Sequence, residues 1–244
     1  MDGVNSFYED FTSYLVRDRV IPNPRHRAIQ GLADPIIRAG RKGSALDVGC
    51  GIGIMSQFLR RHFDKVVALD ISETNIAFAR QTVPNVDFVV SDFLGFETRE
   101  KFDVFAFFDV LEHFPEKELA QVAGRVANHA HAESVVLITI PSAAFARSGV
   151  VPKQVIDEAV EVLTLARLFD AEGFELRECR SYGVVFDDQY RLLSLSRRPP
   201  GWRPERSREP LERRISRLAR VPLNMLRYRK ALAAYPNVIR RRGS

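Results

Sequence analysis

The stretch SALDVGCGIGIMSQFLRR, residues 44–61, decides the fold. A short apolar run leads into Gly49, Gly51 and Gly53, which stand at every second position, and a helix-like run follows. This order is typical of a strand that passes through a tight turn into a helix. Glycine permits positive φ and a close approach of backbone to a ligand, and a helix N-terminus offers N–H groups to an anion. The stretch therefore predicts a ligand-binding turn.

Strand-like and helix-like runs alternate on both sides of this turn. Strands are predicted at 44–50, 65–71, 86–90, 102–111, 133–141, 174–183 and 189–198, and helices at 53–63, 72–83, 115–130 and 152–174. Apolar strands without strict alternation are typical of a parallel sheet that is buried on both faces. The last two strands have no long helix between them, which predicts an antiparallel pair. We therefore predict an α/β, Rossmann-like fold with a seven-stranded, mostly parallel sheet, helices on both faces and a C-terminal antiparallel strand pair.

Acidic residues follow the first three strands. Asp47 stands in DVGCGIG, Asp70 in VVALDIS and Asp92 in VVSDF, and the fourth strand ends in FFDVLEHF, residues 107–114. A carboxylate after the second strand can accept hydrogen bonds from both hydroxyls of a ribose. The dinucleotide fingerprint G-x-G-x-x-G is not met, because Ile54 stands where its last glycine is required. Any one Asp at a strand end is commonly a cap or turn residue, but three around a glycine turn predict a nucleoside site.

These four motifs, in this order, resemble those of the class I S-adenosylmethionine-dependent methyltransferases, over residues 40–197. The resemblance implies that S-adenosylmethionine is the cofactor. The cofactor-binding residues it implies are Asp47, Gly49, Cys50, Gly51 and Gly53 for the methionine part, Asp70 and Ile71 for the ribose and one adenine face, Asp92 and Phe93 for the adenine, and Asp109 for the amino group. The small side chain of Cys50 favours packing over catalysis. Ile71 and Phe93 have core packing as an equal alternative.

The predicted catalytic residues are His113 and Asp109. Methyl transfer to an O–H or N–H group requires a nearby base, and histidine has a suitable unperturbed pKa, about 6.5. Its alternative role is structural, as a helix cap. We expect an enzyme that methylates an oxygen or nitrogen of a small molecule such as a natural product, a sugar or a lipid-linked intermediate. The fourth motif lacks DPPY-like and cysteine signatures, which disfavours methylation of nucleic-acid bases.

Two other functions stay open at this point. Asp109, Glu112 and His113 have the spacing of a metal motif in small-RNA 3′-end methyltransferases, and His129 or His131 would supply a further ligand. Under that alternative the chain is a metal-dependent RNA ribose 2′-O-methyltransferase, although the motif alone is weak and our prediction contains no metal. The third alternative is a non-catalytic binding module that keeps the cofactor fold.

The flanks of the domain complete the prediction. Residues 1–42 are expected to be an N-terminal helical lid segment, residues 43–198 the methyltransferase domain, and residues 199–244 a basic linker with an amphipathic helical tail. From the lid segment, Phe7, Tyr8, Tyr14 and His26 are candidate substrate contacts, and Arg147 and Lys153 would suit an anionic substrate.

Charge separates the tail from the rest of the chain. The net charge is +5, but thirteen Arg and one Lys against three Glu give the last 47 residues +11 and leave −6 before them. Self-association or docking on its own domain is the first expectation for the tail, an anionic membrane surface the second, and nucleic acid is disfavoured. Two distant cysteines favour a reducing compartment, and the N-terminus is too polar for a signal peptide. We expect a cytoplasmic protein, with a peripheral site at the inner membrane face as an alternative.

Overall fold

Seven strands form one sheet in the computed structural model, which describes residues 15–16, 18–19, 21, 23–148 and 159–198. The strands are β1 (Ser44–Val48), β2 (Lys65–Asp70), β3 (Asp87–Val90), β4 (Phe102–Phe108), β5 (Ala130–Pro141), β6 (Phe174–Tyr182) and β7 (Tyr190–Arg197). Their order is β3-β2-β1-β4-β5-β7-β6. Strand β7 runs antiparallel to both β5 and β6, and the other pairs are parallel. The predicted fold class is confirmed.

Helices cover both faces of the sheet. They are α1 (Pro24–Ala39), α2 (Ile54–Leu59), α3 (Glu73–Thr82), α4 (Leu119–His129), α5 (Ala143–Ala146) and α6 (Val162–Ala171), with 3₁₀ turns at Leu111–His113 and Glu116–Glu118. Side chains of β4 alternate between two core clusters, so Phe105 and Phe107 face α4 and α6, whereas Val104 and Ala106 face α1 and α2. Every residue of β4 is buried. The apolar run that predicted this strand is thus explained by burial on both faces.

Local signals place the helix starts. The Ser72 side chain accepts a hydrogen bond from the Asn75 N–H (3.1 Å) and caps α3, as the sequence predicted. Asn23 does the same for α1 through the Arg25 N–H (2.9 Å), with Pro24 at the first helical position. Such caps satisfy N–H groups that have no partner inside the helix.

Several predicted boundaries were wrong, among them the following three. The strand predicted over 133–141 begins at Ala130, and the strand predicted over 102–111 ends at Phe108 because Asp109 takes a positive φ of 61°. The helix predicted over 152–174 is described from Val162 to Ala171, and residues 149–158 are not described. The predictions for the tail, residues 199–244, and for Phe7, Tyr8, Tyr14 and Lys153 also concern residues outside the described part of the chain. Within the described part, no helix is long and apolar enough to cross a membrane.

Candidate cofactor and methyl-transfer site

The four motifs meet at one edge of the sheet. Strands β1 to β4 are mutually parallel in the order β3-β2-β1-β4, so the residues that follow them lie at the same edge. The structure therefore brings together the glycine turn, Asp70, Asp92 and Asp109, as predicted. In open α/β sheets the ligand crevice lies at these carboxyl ends, where the strand order reverses. Here the order reverses between β1 and β4.

All three glycines of the turn have positive φ, at 68° for Gly49, 52° for Gly51 and 80° for Gly53. A Cβ on Gly49 would lie 2.6 Å from Val110 Cγ2, and one on Gly53 would lie 2.9 Å from Phe88 Cζ. These two positions are closed by the protein itself. A Cβ on Gly51 would have Leu15 Cδ1, at 3.4 Å, as its nearest neighbour among the described residues. A side chain is thus excluded at Gly49 and Gly53, while the exposed Gly49 and the half-buried Gly51 are the parts of the turn whose backbone a ligand can approach.

Asp70 holds the turn in place. One carboxylate oxygen, Oδ2, accepts a hydrogen bond from the Gly51 N–H (2.7 Å). The other, Oδ1, accepts from the Ser72 N–H (2.9 Å) and from the Asn75 side chain (3.2 Å). Asp70 therefore links the glycine turn to the start of α3 at the carboxyl end of β2. A carboxylate offers about four lone-pair sites, which suits it to hydroxyl donors as well.

Asp47 lies beneath the turn. Its side chain is 1% exposed, and its Oδ2 accepts a hydrogen bond from Ser56 Oγ of α2 (2.6 Å). Burial raises the pKa of Asp47 to about 7 despite the opposing hydrogen bond from Ser56, and the nearby Asp70 carboxylate adds to the rise. The predicted contact with the methionine part is thus placed behind the turn, where Asp47 anchors α2 to β1.

This burial makes stability depend on pH. The pKa of Asp47 is about 7 in the folded state against about 3.9 unfolded, so the folded state binds more protons between pH 4 and 7. The free energy of unfolding is therefore expected to fall as the pH rises through this window, by roughly 2–4 kcal/mol. Asp47→Asn keeps an oxygen for Ser56 and should remove this slope, which urea titrations at pH 4.5 and 7.5 would measure. Parallel pH profiles for the two proteins would refute this account.

Cys50 packs rather than reacts. Its thiol is buried with Ala68, Ile76 and Phe88, and its Sγ lies 3.6 Å from the Gly51 carbonyl oxygen, to which it donates. Burial, with Asp70 and Asp47 nearby, raises the pKa of the thiol well above its usual value. The protonated form is therefore favoured, which agrees with the packing role.

The predicted adenine contacts differ in their placement. Asp92 is exposed, and its Oδ2 accepts a hydrogen bond from the Gly95 N–H (3.3 Å). Ile71 is half-buried beside Asp70. Phe93, only 2% exposed, packs edge-on against Phe107 of β4, with 5.4 Å between ring centroids. The structure thus places Asp92 and Ile71 at the crevice and the Phe93 ring in the core, the alternative role.

Asp109 closes the site on the β4 side. Its Oδ1 accepts a hydrogen bond from Thr139 Oγ1 of β5 (2.9 Å) and forms an ion pair with Arg25 of α1. Its backbone N–H donates to the Thr139 carbonyl oxygen (3.0 Å). These bonds from both sides hold Asp109 in its left-handed conformation, which costs energy in a non-glycine residue. Strain of this kind commonly marks a functional position.

His113 is half-buried in the 3₁₀ turn that follows Asp109, and its backbone N–H donates to the Val110 carbonyl oxygen (3.0 Å). Because Val110 contacts Gly49, this turn lies directly against the glycine turn. His113 is therefore at the edge where it was predicted. Glu112, beside it, is 2% exposed.

The histidines of the metal alternative lie elsewhere. His131 Nε2 is 2.6 Å from Asp103 Oδ1, and His129 Nδ1 is 3.4 Å from the Glu100 carbonyl oxygen. His129 ends α4 and His131 is the second residue of β5, on either side of Ala130, which pairs with Phe102, the first residue of β4. They are thus at the opposite edge from Asp109. Within the described ranges, no group of three or more His, Cys, Asp or Glu side chains is arranged to hold a metal ion.

The sequence reasoning missed four residues at this edge, namely Arg25, Thr139, Tyr182 and Tyr190. No local pattern in the sequence indicated a role for Arg25, because its partner Asp109 is 84 positions away. Thr139 was visible as a polar residue inside an apolar strand. Tyr182 and Tyr190 stand at the joined ends of β6 and β7, where their rings stack with 5.3 Å between centroids. Arg147, a candidate for anion binding, instead pairs with Glu161 (3.0 Å).

Fold and site together define an α/β protein with a candidate nucleoside-binding crevice at the carboxyl ends of its parallel strands. Comparison with known proteins agrees with this description. Residues 45–132 match a family described as "Methyltransferase domain". Over these residues, the resemblance to the class I S-adenosylmethionine-dependent methyltransferases that was seen in the motifs is confirmed.

Curated relatives agree over this part of the chain. The Ubiquinone biosynthesis O-methyltransferase of Pseudomonas fluorescens is 34% identical over 84 residues, which are 32% of this chain and 35% of that protein. The protein of the same name from Paramagnetospirillum magneticum is 35% identical over 97 residues, 38% of this chain and 39% of that protein. The match thus spans little more than a third of each relative.

Solved structures extend the likeness in fold. DhpI in complex with S-adenosylhomocysteine has a TM-score of 0.65 and 20% identity, and the match covers 82% of this chain and 97% of that one. The magnesium protoporphyrin IX methyltransferase of Synechocystis with bound S-adenosylhomocysteine has a TM-score of 0.60 and 18% identity, with 78% and 98% covered. At these identities the likeness supports the fold.

Proposed function

We propose that this chain transfers the methyl group of S-adenosylmethionine to an oxygen of a small molecule. The observation that carries the proposal is the convergence of the glycine turn, Asp70 and Asp109 at one sheet edge. The choice of oxygen rests on the relatives, which are named O-methyltransferases. The sequence also allowed methyl transfer to a nitrogen, and the experiment below distinguishes the two acceptor atoms.

The residues at the edge fit the cofactor. The approachable backbone at Gly51 suits the methionine part, the Asp70 carboxylate suits the ribose hydroxyls, and Asp92 with Ile71 suits the adenine. The bound cofactor supplies a methyl group that is already activated by a sulfonium. The protein therefore has to align the acceptor and exclude water.

His113 is the proposed proton acceptor. It lies in the turn between Asp109 and the glycine turn, so it is at the side from which an acceptor hydroxyl would approach. A positioned base of this kind typically contributes on the order of 10²-fold or more to the rate. Asp109, held by Thr139 and Arg25, would fix the geometry on the same side.

The test combines binding and turnover. Calorimetry with S-adenosylmethionine is expected to give a Kd in the range of about 1–100 µM, and NAD should not bind. Incubation with labelled S-adenosylmethionine and a panel of hydroxyl- and amine-bearing small molecules should release S-adenosylhomocysteine with a hydroxyl acceptor. His113→Ala should lower kcat while leaving the cofactor Kd unchanged. No binding of S-adenosylmethionine would refute the proposal, and turnover with amines alone would correct the acceptor atom.

A further inference from the structure

Three side chains form a cluster beside Asp109, here called the arginine–tyrosine cluster, consisting of Arg25, Tyr182 and Tyr190. The Arg25 guanidinium lies 4.1 Å from the centroid of the Tyr190 ring, and Tyr190 stacks on Tyr182. Tyr182 ends β6 and Tyr190 begins β7, and Pro141 at the end of β5 pairs with Tyr190. The cluster is therefore at the carboxyl edge, and its ion pair joins it to Asp109.

Two polar atoms of this cluster are buried without a hydrogen-bond partner among the described residues, Arg25 Nε and the Tyr182 hydroxyl. Tyr182 is only 9% exposed. Its hydroxyl lies near Thr139 and Arg25, which act on its pKa as weak hydrogen-bonding neighbours, but neither contact reaches full hydrogen-bond geometry. A buried polar group that lacks a partner is costly, so native proteins rarely keep one without a reason.

Both atoms are hydrogen-bond donors. The Nε of an arginine carries a hydrogen and has no acceptor capacity. Burial and the neighbouring Asp109 raise the pKa of Tyr182 above its usual value, outweighing Arg25 and Thr139, so the hydroxyl keeps its proton at neutral pH. Two unmatched donors in one cluster call for an oxygen with lone pairs.

The charges of the cluster limit what that oxygen belongs to. Burial alone would lower the pKa of Arg25, but Asp109, Tyr190, Glu112 and Tyr182 together raise it, so the guanidinium is always charged. Its charge is already matched by Asp109. The donors therefore offer directed hydrogen bonds to a carbonyl or a carboxylate oxygen.

We propose that Arg25 and Tyr182 recognise the methyl acceptor through a carbonyl or carboxylate oxygen that the acceptor carries in addition to the oxygen it methylates. This inference rests on the proposed function and deepens it. The two residues are specificity-determining: they select acceptors that bear such an oxygen, and they take no part in the proton transfer.

The test uses three acceptor probes that differ in one substituent: catechol, 3,4-dihydroxybenzaldehyde and 3,4-dihydroxybenzoate. The full chain should show kcat/KM at least about tenfold higher for the aldehyde or the carboxylate than for catechol. Comparison of the aldehyde with the carboxylate shows whether the recognised oxygen belongs to a carbonyl or to a carboxylate group. Tyr182→Phe should remove this preference through KM, with the Kd for S-adenosylmethionine unchanged. Cys179→Ala, at an exposed position of the same strand, is the matched control.

Thermal unfolding without ligand is the second arm. Because the Tyr182 hydroxyl has no protein partner, Tyr182→Phe should leave the Tm unchanged or raise it. A fall of more than about 4 °C would show that the hydroxyl is satisfied inside the protein and would overturn the proposal. So would equal kcat/KM for the three probes, or a preference that Tyr182→Phe retains. If none of the probes is methylated, the thermal arm decides this inference alone, whereas failure to bind S-adenosylmethionine refutes the proposed function instead.

Discussion

Asp70→Ala is expected to weaken S-adenosylmethionine binding by a factor on the order of 10²–10³. The substitution removes the carboxylate proposed to accept the ribose hydroxyls, and hydrogen bonds to a charged group contribute about 1.5–3 kcal/mol each. It also releases the Gly51 and Ser72 N–H groups, so the turn and the start of α3 lose their common anchor. Calorimetry on the folded variant would measure the change in Kd.

Asp87→Ala is the matched control for this experiment. Asp87 is an exposed carboxylate at the first residue of β3, and therefore at the opposite edge of the sheet. Its replacement should leave the cofactor Kd unchanged. Asp70→Asn, which keeps the shape and loses the charge, should fall between Asp70→Ala and the natural chain. An Asp70→Ala protein that binds within threefold of the natural chain would disprove the ribose assignment.

Gly49→Ala is expected to lower the free energy of unfolding by roughly 2–5 kcal/mol. The added methyl group would lie 2.6 Å from Val110 Cγ2, and such overpacking typically costs about 1–3 kcal/mol. The φ of 68° adds a further penalty of about 1–2 kcal/mol for a residue with a Cβ. Urea denaturation of both proteins measures the difference.

Two companion variants separate these causes. Gly31→Ala places a methyl group on an exposed helical position with no atom within 4 Å, and should stabilise the protein by about 0.5–1 kcal/mol. Adding Val110→Ala to Gly49→Ala makes room for the new methyl group. Relative to Val110→Ala alone, the double variant should therefore lose only the free energy that the positive φ costs, without the cost of the overlap. If Gly49→Ala is as stable as the natural chain, the turn tolerates a side chain and the close packing against Val110 is not a constraint.

The fold was predictable because its signals are local. Each buried strand is a run of apolar residues, and the turns after β1 to β4 carry Gly or Asp within a few positions of the strand end. A parallel sheet then places these ends together without further information. The positions of Asp70 and Asp109 follow from this rule alone.

Side-chain burial and long-range pairing were not predictable in the same way. Nothing near Asp47 in the sequence shows that its carboxylate points under the turn to Ser56, because this direction depends on how α2 packs on β1. The same holds for Phe93, whose ring meets Phe107 of a different strand. The pairing of Arg25 with Asp109 requires the packing of α1 onto the sheet. Such contacts arise from tertiary structure, and a single sequence carries no local pattern for them.

The side chain of Leu15 next to Gly51 has a practical consequence. Arg19, four residues further on, donates a hydrogen bond to the Thr82 carbonyl oxygen at the end of α3 (2.9 Å), so Leu15 lies beside the glycine turn while Arg19 is bound to the far end of α3. Any ligand that approaches the backbone of Gly51 would therefore also meet the side chain of Leu15.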